Sequence, residues 1–212
     1  MKRCLLATCL SLSALTTAAH AVPVAQGGSM TTTFSIAGAA NLPNVSATVA
    51  FTNFNFTSPT SLTFTATVTN TTPTTGNTYS SARLTSFGFD TSPVATAATD
   101  NSSVYDSATN RSITSTHVDV CLYSGPNCNG GGNGGLNLGG STSFTETLIF
   151  TGTSVPPLDF SGFYAKFQTS VTSYEGFGTT TTPTTIPEPA SLVILGAALT
   201  GLGLGRKRFS RR

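Results

Sequence analysis

The chain contains the octapeptide Leu62-Thr63-Phe64-Thr65-Ala66-Thr67-Val68-Thr69, in which apolar residues alternate strictly with threonine. Successive side chains of a β-strand point to opposite faces, so this pattern places the apolar set on one face and the threonines on the other. Threonine is β-branched and favours extended backbone. The octapeptide therefore predicts a strand with one buried and one solvated face, as is typical of an antiparallel sheet.

Similar patterns recur through the middle of the chain. Further strands are predicted at residues 31–37, 45–51, 84–89, 118–122, 144–148 and 160–168, and clusters of Pro, Gly and Asn separate them. Seven or more short strands without an amphipathic helix predict an all-β fold, an antiparallel β-sandwich of jelly-roll-like or Ig-like architecture. The expected core residues are Phe51, Phe64, Val68, Phe87, Val120, Phe144, Leu148 and Phe167.

Charge is sparse and unevenly distributed. Charged residues make up 8% of the chain, whereas about a quarter is usual for a soluble domain. The whole chain carries +2, but residues 22–186 hold three bases and seven acids, a net charge of −4. The other seven bases lie at the two ends. A nucleic-acid-binding domain needs a basic surface, so no nucleic-acid partner is expected.

The N-terminus has the features of a secretory signal peptide at residues 1–21. Lys2 and Arg3 precede an apolar stretch, and Ala19-His20-Ala21 forms a small-x-small site at which signal peptidase would cleave. We expect a flexible lead-in at residues 22–30, a sandwich domain at 31–178 and a Thr/Pro linker at 179–186.

The C-terminus, residues 187–212, combines three features. Pro187-Glu188-Pro189 precedes an apolar run at residues 190–205, and a basic tail follows, which consists of Arg206, Lys207, Arg208, Arg211 and Arg212. The run has 16 residues, which as a helix span about 24 Å. Snorkelling arginines and local bilayer thinning compensate for this length, so a single transmembrane helix is predicted. The basic tail would stay cytoplasmic and orient it.

In this order and position, these three features resemble the PEP-CTERM sorting signal. The resemblance covers residues 187–212 and implies processing by an exosortase, a membrane protease-transpeptidase of Gram-negative bacteria. It also implies an inner-membrane intermediate and then delivery to the cell surface or extracellular matrix, alongside exopolysaccharide and biofilm production. Glu188 is the only charge near the motif, and the flanking prolines keep the segment extended. Residues 84–90, 118–150 and 160–167 resemble the "cistern" group of PEP-CTERM proteins, which brings no known activity.

Two cysteines remain after removal of the signal peptide. Cys121 and Cys128 are close in sequence, and in an exported chain they predict a disulfide. Closing this small loop would stabilise the fold by about 2–3 kcal/mol. Together with His117 these cysteines offer too few ligands for a metal, so neither a metal nor another cofactor is expected.

The sequence favours a non-enzymatic body. A catalytic triad would need His117, and no spacing among the acids selects a catalytic pair, so no catalytic residue is assigned. Calcium binding near Asp90, Asp100, Asn101 and Asp106 stays open. The alternative function is a carbohydrate-binding module for the cell's own polysaccharide, which would need exposed aromatic residues. Trp is absent, and the tyrosines are Tyr79, Tyr105, Tyr123, Tyr164 and Tyr174.

Overall fold

The structure is a computed structural model that describes residues 21–39, 41–75, 79–131 and 134–182. Within these residues it is all-β and antiparallel. The strands are β1 Val22–Pro23, β2 Met30–Ile36, β3 Val45–Ser58, β4 Ser61–Asn70, β5 Ala82–Ser92, β6 Ala97–Asp100, β7 Asp106–Ile113, β8 Thr116–Tyr123, β9 Ser141–Ile149, β10 Asp159–Thr169 and β11 Ser173–Thr181.

The alternating octapeptide forms most of β4, as predicted. Its apolar residues are buried, whereas its threonines lie on the opposite, partly exposed face. On that face, hydroxyl groups of β4 pair with hydroxyl groups of the neighbouring strand β9, at Thr63–Thr147 (3.3 Å), Thr67–Ser143 (3.0 Å) and Thr69–Ser141 (2.9 Å). Such cross-strand pairs stabilise a sheet, and they account for part of the unusual threonine content.

All the other predicted strands are also present, and the eight expected core residues are buried. Strand β3 is longer than predicted and continues through a bulge. Asn53 adopts a positive φ of 57°, and the register with β4 shifts between Thr52 and Asn55. One extra residue reverses the side-chain alternation. Phe54 therefore points into the core, with only 1% of its surface exposed.

The strands form one sheet that curls until its ends approach each other. Their order is β6-β9-β4-β3-β2-β11-β10-β5-β8-β7, and β1 adds to β10. Strand β11 turns the corner, because Ser173–Phe177 pairs with β10 and Gly178–Thr181 pairs with β2. The terminal strands β6 and β7 contact each other, and the Thr109 hydroxyl donates to the carbonyl of Thr96, just before β6, at 3.2 Å. The result is a nearly closed, barrel-like arrangement.

Aromatic side chains fill the middle of this arrangement. Phe160 is fully buried, and its ring centroid lies 4.6 Å from that of Phe89 and 5.8 Å from those of Phe54 and Phe64. Edge-on and tilted contacts of this kind add to the hydrophobic stabilisation. A smaller apolar cluster lies outside this core and surrounds the disulfide; its buried members are Ile113, Val118, Cys121, Cys128 and Tyr164.

Two predicted boundaries need correction. The segment predicted as a flexible lead-in is packed onto the sheet: β1 pairs with β10, Val24 N–H donates to the carbonyl of Leu158 at 2.8 Å, and Val24 is buried. Its alternate valines supply the apolar contacts that hold it. The predicted Thr/Pro linker begins inside β11, which continues to Thr181. Contacts divide the chain into two units, Met1–Thr182 and Pro183–Arg212.

In the part of the chain that the structure describes, no helix has the length and apolar character needed to cross a membrane.

Candidate functional site

The predicted sorting and export signals lie almost entirely outside the described residues. This applies to Pro187, Glu188 and Pro189, to the basic tail, to the predicted transmembrane helix at residues 190–205 and to Ala19 of the signal cleavage site. Ala21, the last residue before the predicted cleavage, is described and exposed.

The predicted cysteine pair is a disulfide. Cys121 lies on β8 and joins Cys128 across a Cα–Cα distance of 6.2 Å. Both residues are buried in the outer apolar cluster, where Val118 and Tyr164 cover them. A buried disulfide is typical of proteins that fold in a non-reducing compartment.

The four residues considered for calcium serve different local structures. The Asp100 carboxylate accepts the Ser102 N–H at 2.7 Å, and Asn101 Oδ1 accepts the Thr145 N–H at 2.7 Å. Asp106 begins β7 and is exposed. Asp90 lies on β5 and belongs to a different cluster. Within the described residues, these four do not form one ligand set.

Asp90 instead lies beside two residues of β8, His117 and Asp119. One ligand atom from each of the three lies within 4.8 Å of the other two. The two carboxylates are partly buried, whereas the histidine is exposed. His117 and Asp119 are two positions apart, so the alternation of the strand directs both to one side.

The cluster forms where the pairing of β5 with β8 ends. The backbone hydrogen bonds between β5 and β8 extend as far as Phe89 opposite Val120. Beyond that pair, side-chain carboxylates accept the backbone N–H groups instead. Asp119 Oδ2 accepts the Thr91 N–H at 2.9 Å, and Asp90 Oδ1 accepts the Asp119 N–H at 3.3 Å. The carboxylates thus satisfy backbone groups that no longer have a ladder partner.

A bulge in β10 makes room for Asp90. The register between β10 and β5 shifts between Ser161 and Tyr164, and Gly162 has a positive φ of 58°. A Cβ atom at Gly162 would lie 2.9 Å from Asp90 Cγ, closer than these atoms can approach. Glycine is required here both by its backbone conformation and by the carboxylate beside it.

The surroundings of Asp90 raise the pKa of its carboxyl group. Burial is the main cause, and the neighbouring Asp119 adds to it because two like charges oppose ionisation. The N–H of Asp119 and the nearby His117 act in the opposite direction. His117 Nε2 itself lies 2.8 Å from Asn110 Oδ1.

Glu146 is a second unusual acid, on the core-facing side of β9. The residue is fully buried, and neither carboxylate oxygen has a hydrogen-bond partner. The pKa of Glu146 is raised to about 9, mainly by burial and to a smaller extent by the negative charge of the nearby Asp100. Glu146 is therefore protonated at neutral pH, which reduces the cost of burying it.

The tyrosines do not form an exposed platform. Tyr79, Tyr105 and Tyr164 are buried, and Tyr123 and Tyr174 are half-buried. Among the described aromatic residues, the exposed ring is Phe177, with 63% of its surface accessible. It packs edge-on against Tyr164 at a centroid distance of 4.9 Å.

The sequence alone points to Asp90 and His117 separately, but it does not indicate that they are close together, and it does not single out Asp119. The feature of the sequence that places His117 and Asp119 on one side is their spacing of two residues at a predicted strand. The neighbouring position of Asp90 depends on the pairing of β5 with β8, which joins strands distant in sequence. The burial of Glu146 is predictable from the sequence, because Glu146 alternates with Phe144 and Leu148 and therefore points to the same, buried face of β9.

Comparisons of the chain with protein-family models, with curated proteins and with solved structures find no match of any of these three kinds.

Proposed function

We propose that this chain is an exported, non-enzymatic protein that an exosortase processes and sorts to the cell surface or extracellular matrix. The observation that carries the proposal is the tripartite C-terminus, Pro187-Glu188-Pro189 followed by an apolar run and a basic tail, on a chain with a signal peptide. The role of the body would be structural, in association with exopolysaccharide and biofilm. Its partners would be signal peptidase, the exosortase and, transiently, the inner membrane of a Gram-negative bacterium.

The described body supports this proposal in two ways. Its buried disulfide suits a non-reducing compartment outside the cytoplasm. Its all-β fold ends at Thr181, shortly before the motif, so cleavage at the motif would leave the eleven strands intact. As a finer part of the proposal, the body is a two-layered β-sandwich with jelly-roll-like or Ig-like architecture.

Intact-mass analysis of the exported protein tests processing at the motif. From exosortase-competent cells we expect a product that begins at Val22, lacks Arg206–Arg212 and is lighter by the two hydrogens lost to the disulfide. The Glu188→Ala variant should retain the basic tail, and Glu175→Ala serves as the matched control because Glu175 lies on β11, within the body. A mature wild-type product that still carries Arg206–Arg212 in these cells would refute the proposal.

The second candidate function is binding of the cell's own polysaccharide, and Phe177 is the observation that favours it. An exposed ring held in place by Tyr164 is the kind of surface on which a sugar ring stacks. We expect the wild-type protein to be retained on purified exopolysaccharide and Phe177→Ala to lose most of that retention. Val171→Ala removes a similarly exposed apolar side chain and should bind normally. Equal retention of Phe177→Ala and wild type would remove Phe177 from this role.

A further inference from the structure

The cluster of Asp90, His117 and Asp119 has no part in the proposed sorting function, yet its donor atoms are suited to a metal ion. The three ligand atoms lie within 4.8 Å of one another. In a tetrahedral zinc site with bonds of about 2.0–2.2 Å, neighbouring ligand atoms are roughly 3.3–3.6 Å apart. Rotations of the exposed His117 side chain and of the carboxyl groups would close the remaining distance.

The carboxylates keep free oxygens for a ligand. Asp119 uses Oδ2 to accept the Thr91 N–H, and Asp90 uses Oδ1 to accept the Asp119 N–H. Asp119 Oδ1 and Asp90 Oδ2 are not used in these bonds. The same bonds keep the two side chains beside each other, so that small rotations suffice to bring their free oxygens towards a common ion.

A neighbouring amide orients the imidazole of His117. His117 Nε2 lies 2.8 Å from Asn110 Oδ1, an oxygen that can accept a hydrogen bond from the tautomer protonated at Nε2. In neutral imidazole the other nitrogen, Nδ1, then has the free lone pair. Metal-binding histidines usually donate their second N–H to an oxygen in this way.

The charge of the cluster also favours a dication. Two carboxylates side by side repel each other, and a divalent ion between them would neutralise both charges. The imidazole decides which class of ion fits. Calcium and magnesium prefer sets of six or more oxygen ligands, whereas zinc takes imidazole and carboxylate together at low coordination number.

We propose that Asp90, His117 and Asp119 bind one divalent transition-metal ion of the zinc type, through one oxygen of each carboxylate and Nδ1 of the imidazole. Three protein ligands leave a fourth position for water or for an external oxygen ligand. Because His117 is exposed, that position faces solvent. The site is independent of C-terminal processing, so failure of either proposal leaves the other intact.

Titration of the exported protein with zinc chloride tests the site, with heat of binding and histidine-ring NMR as readouts. His117 is the single histidine of residues 21–212, so its ring signals report on this site alone. We expect one equivalent of zinc to bind and to shift the Nδ1 resonance more than that of Nε2. The variants His117→Gln and Asp119→Asn should weaken zinc binding about ten-fold or more, and Asn110→Ala about ten-fold.

Two controls distinguish zinc binding at this site from non-specific attraction of zinc to surface carboxylates. Asp106→Asn removes an exposed carboxylate of β7 and should bind zinc like the wild type. Calcium chloride in excess should not displace the zinc. Unchanged zinc affinity in His117→Gln, an unshifted imidazole signal, or displacement by calcium would each overturn the proposal. Urea unfolding of metal-free His117→Gln, expected to match the wild type, confirms that the variant is folded.

Discussion

Replacing Phe160 by alanine is expected to lower the free energy of unfolding by about 3–5 kcal/mol. Phe160 is fully buried, and its ring contacts those of Phe89, Phe54 and Phe64. Truncation removes the hydrophobic contribution of the ring and leaves a cavity that these neighbours cannot fill by small movements. Because the total stability of a domain is about 5–15 kcal/mol, the variant should be close to unfolding.

Equilibrium unfolding in urea, followed by tyrosine fluorescence, measures this loss. Phe160→Leu restores much of the missing volume and should fall between wild type and alanine. Phe177→Ala makes the same chemical change at an exposed ring and should alter stability by no more than about 0.5 kcal/mol. A loss of less than about 1 kcal/mol in Phe160→Ala would contradict the central position of this ring.

The stability of the fold is expected to fall as the pH rises from about 4.5 to about 9, in part because of Glu146. The folded state holds the Glu146 proton up to a pKa of about 9, whereas the unfolded chain releases it near 4.5. Between these values the folded state binds more protons, so each pH unit lowers the free energy of unfolding by up to about 1.4 kcal/mol. Below this window the contribution is fully present.

The variant Glu146→Gln isolates this effect. Glutamine does not titrate, so the variant should show a flatter profile of stability against pH and should exceed the wild type at the alkaline end. Urea unfolding at a series of pH values between 4 and 10 provides the measurement. Glu175→Gln, at a partly exposed glutamate, controls for the removal of one carboxylate. An unchanged profile in Glu146→Gln, or the same flattening in Glu175→Gln, would argue against this origin.

Local patterns in the sequence predicted much of the fold, because strand alternation is a local property. The octapeptide in β4 illustrates this, since each residue lies on the face that its parity predicts. The bulge at Asn53 was not predicted, because an asparagine between a threonine and a phenylalanine does not reveal a change of register. It reverses the alternation from that point and brings Phe54 into the core.

The candidate site was less predictable, because it depends on strand pairing over a long sequence separation. Asp90 and Asp119 meet only because β5 and β8 are neighbours and their ladder ends just before these residues. No local pattern around Asp90 indicates that Gly162, on a third strand, leaves space for its carboxylate. The proposed C-terminal sorting signal, by contrast, consists of consecutive residues, so it can be predicted without the fold.

The contact between β6 and β7 at the two ends of the strand order has a consequence for solubility. A strand edge with unpaired N–H and C=O groups can recruit another chain and start aggregation, and proteins usually protect such edges with charged side chains. This chain has few charges to place there, since they make up 8% of its residues. Three of them lie on the two end strands, Asp100 on β6 and Asp106 and Arg111 on β7, and the contact between these strands covers part of the edge as well.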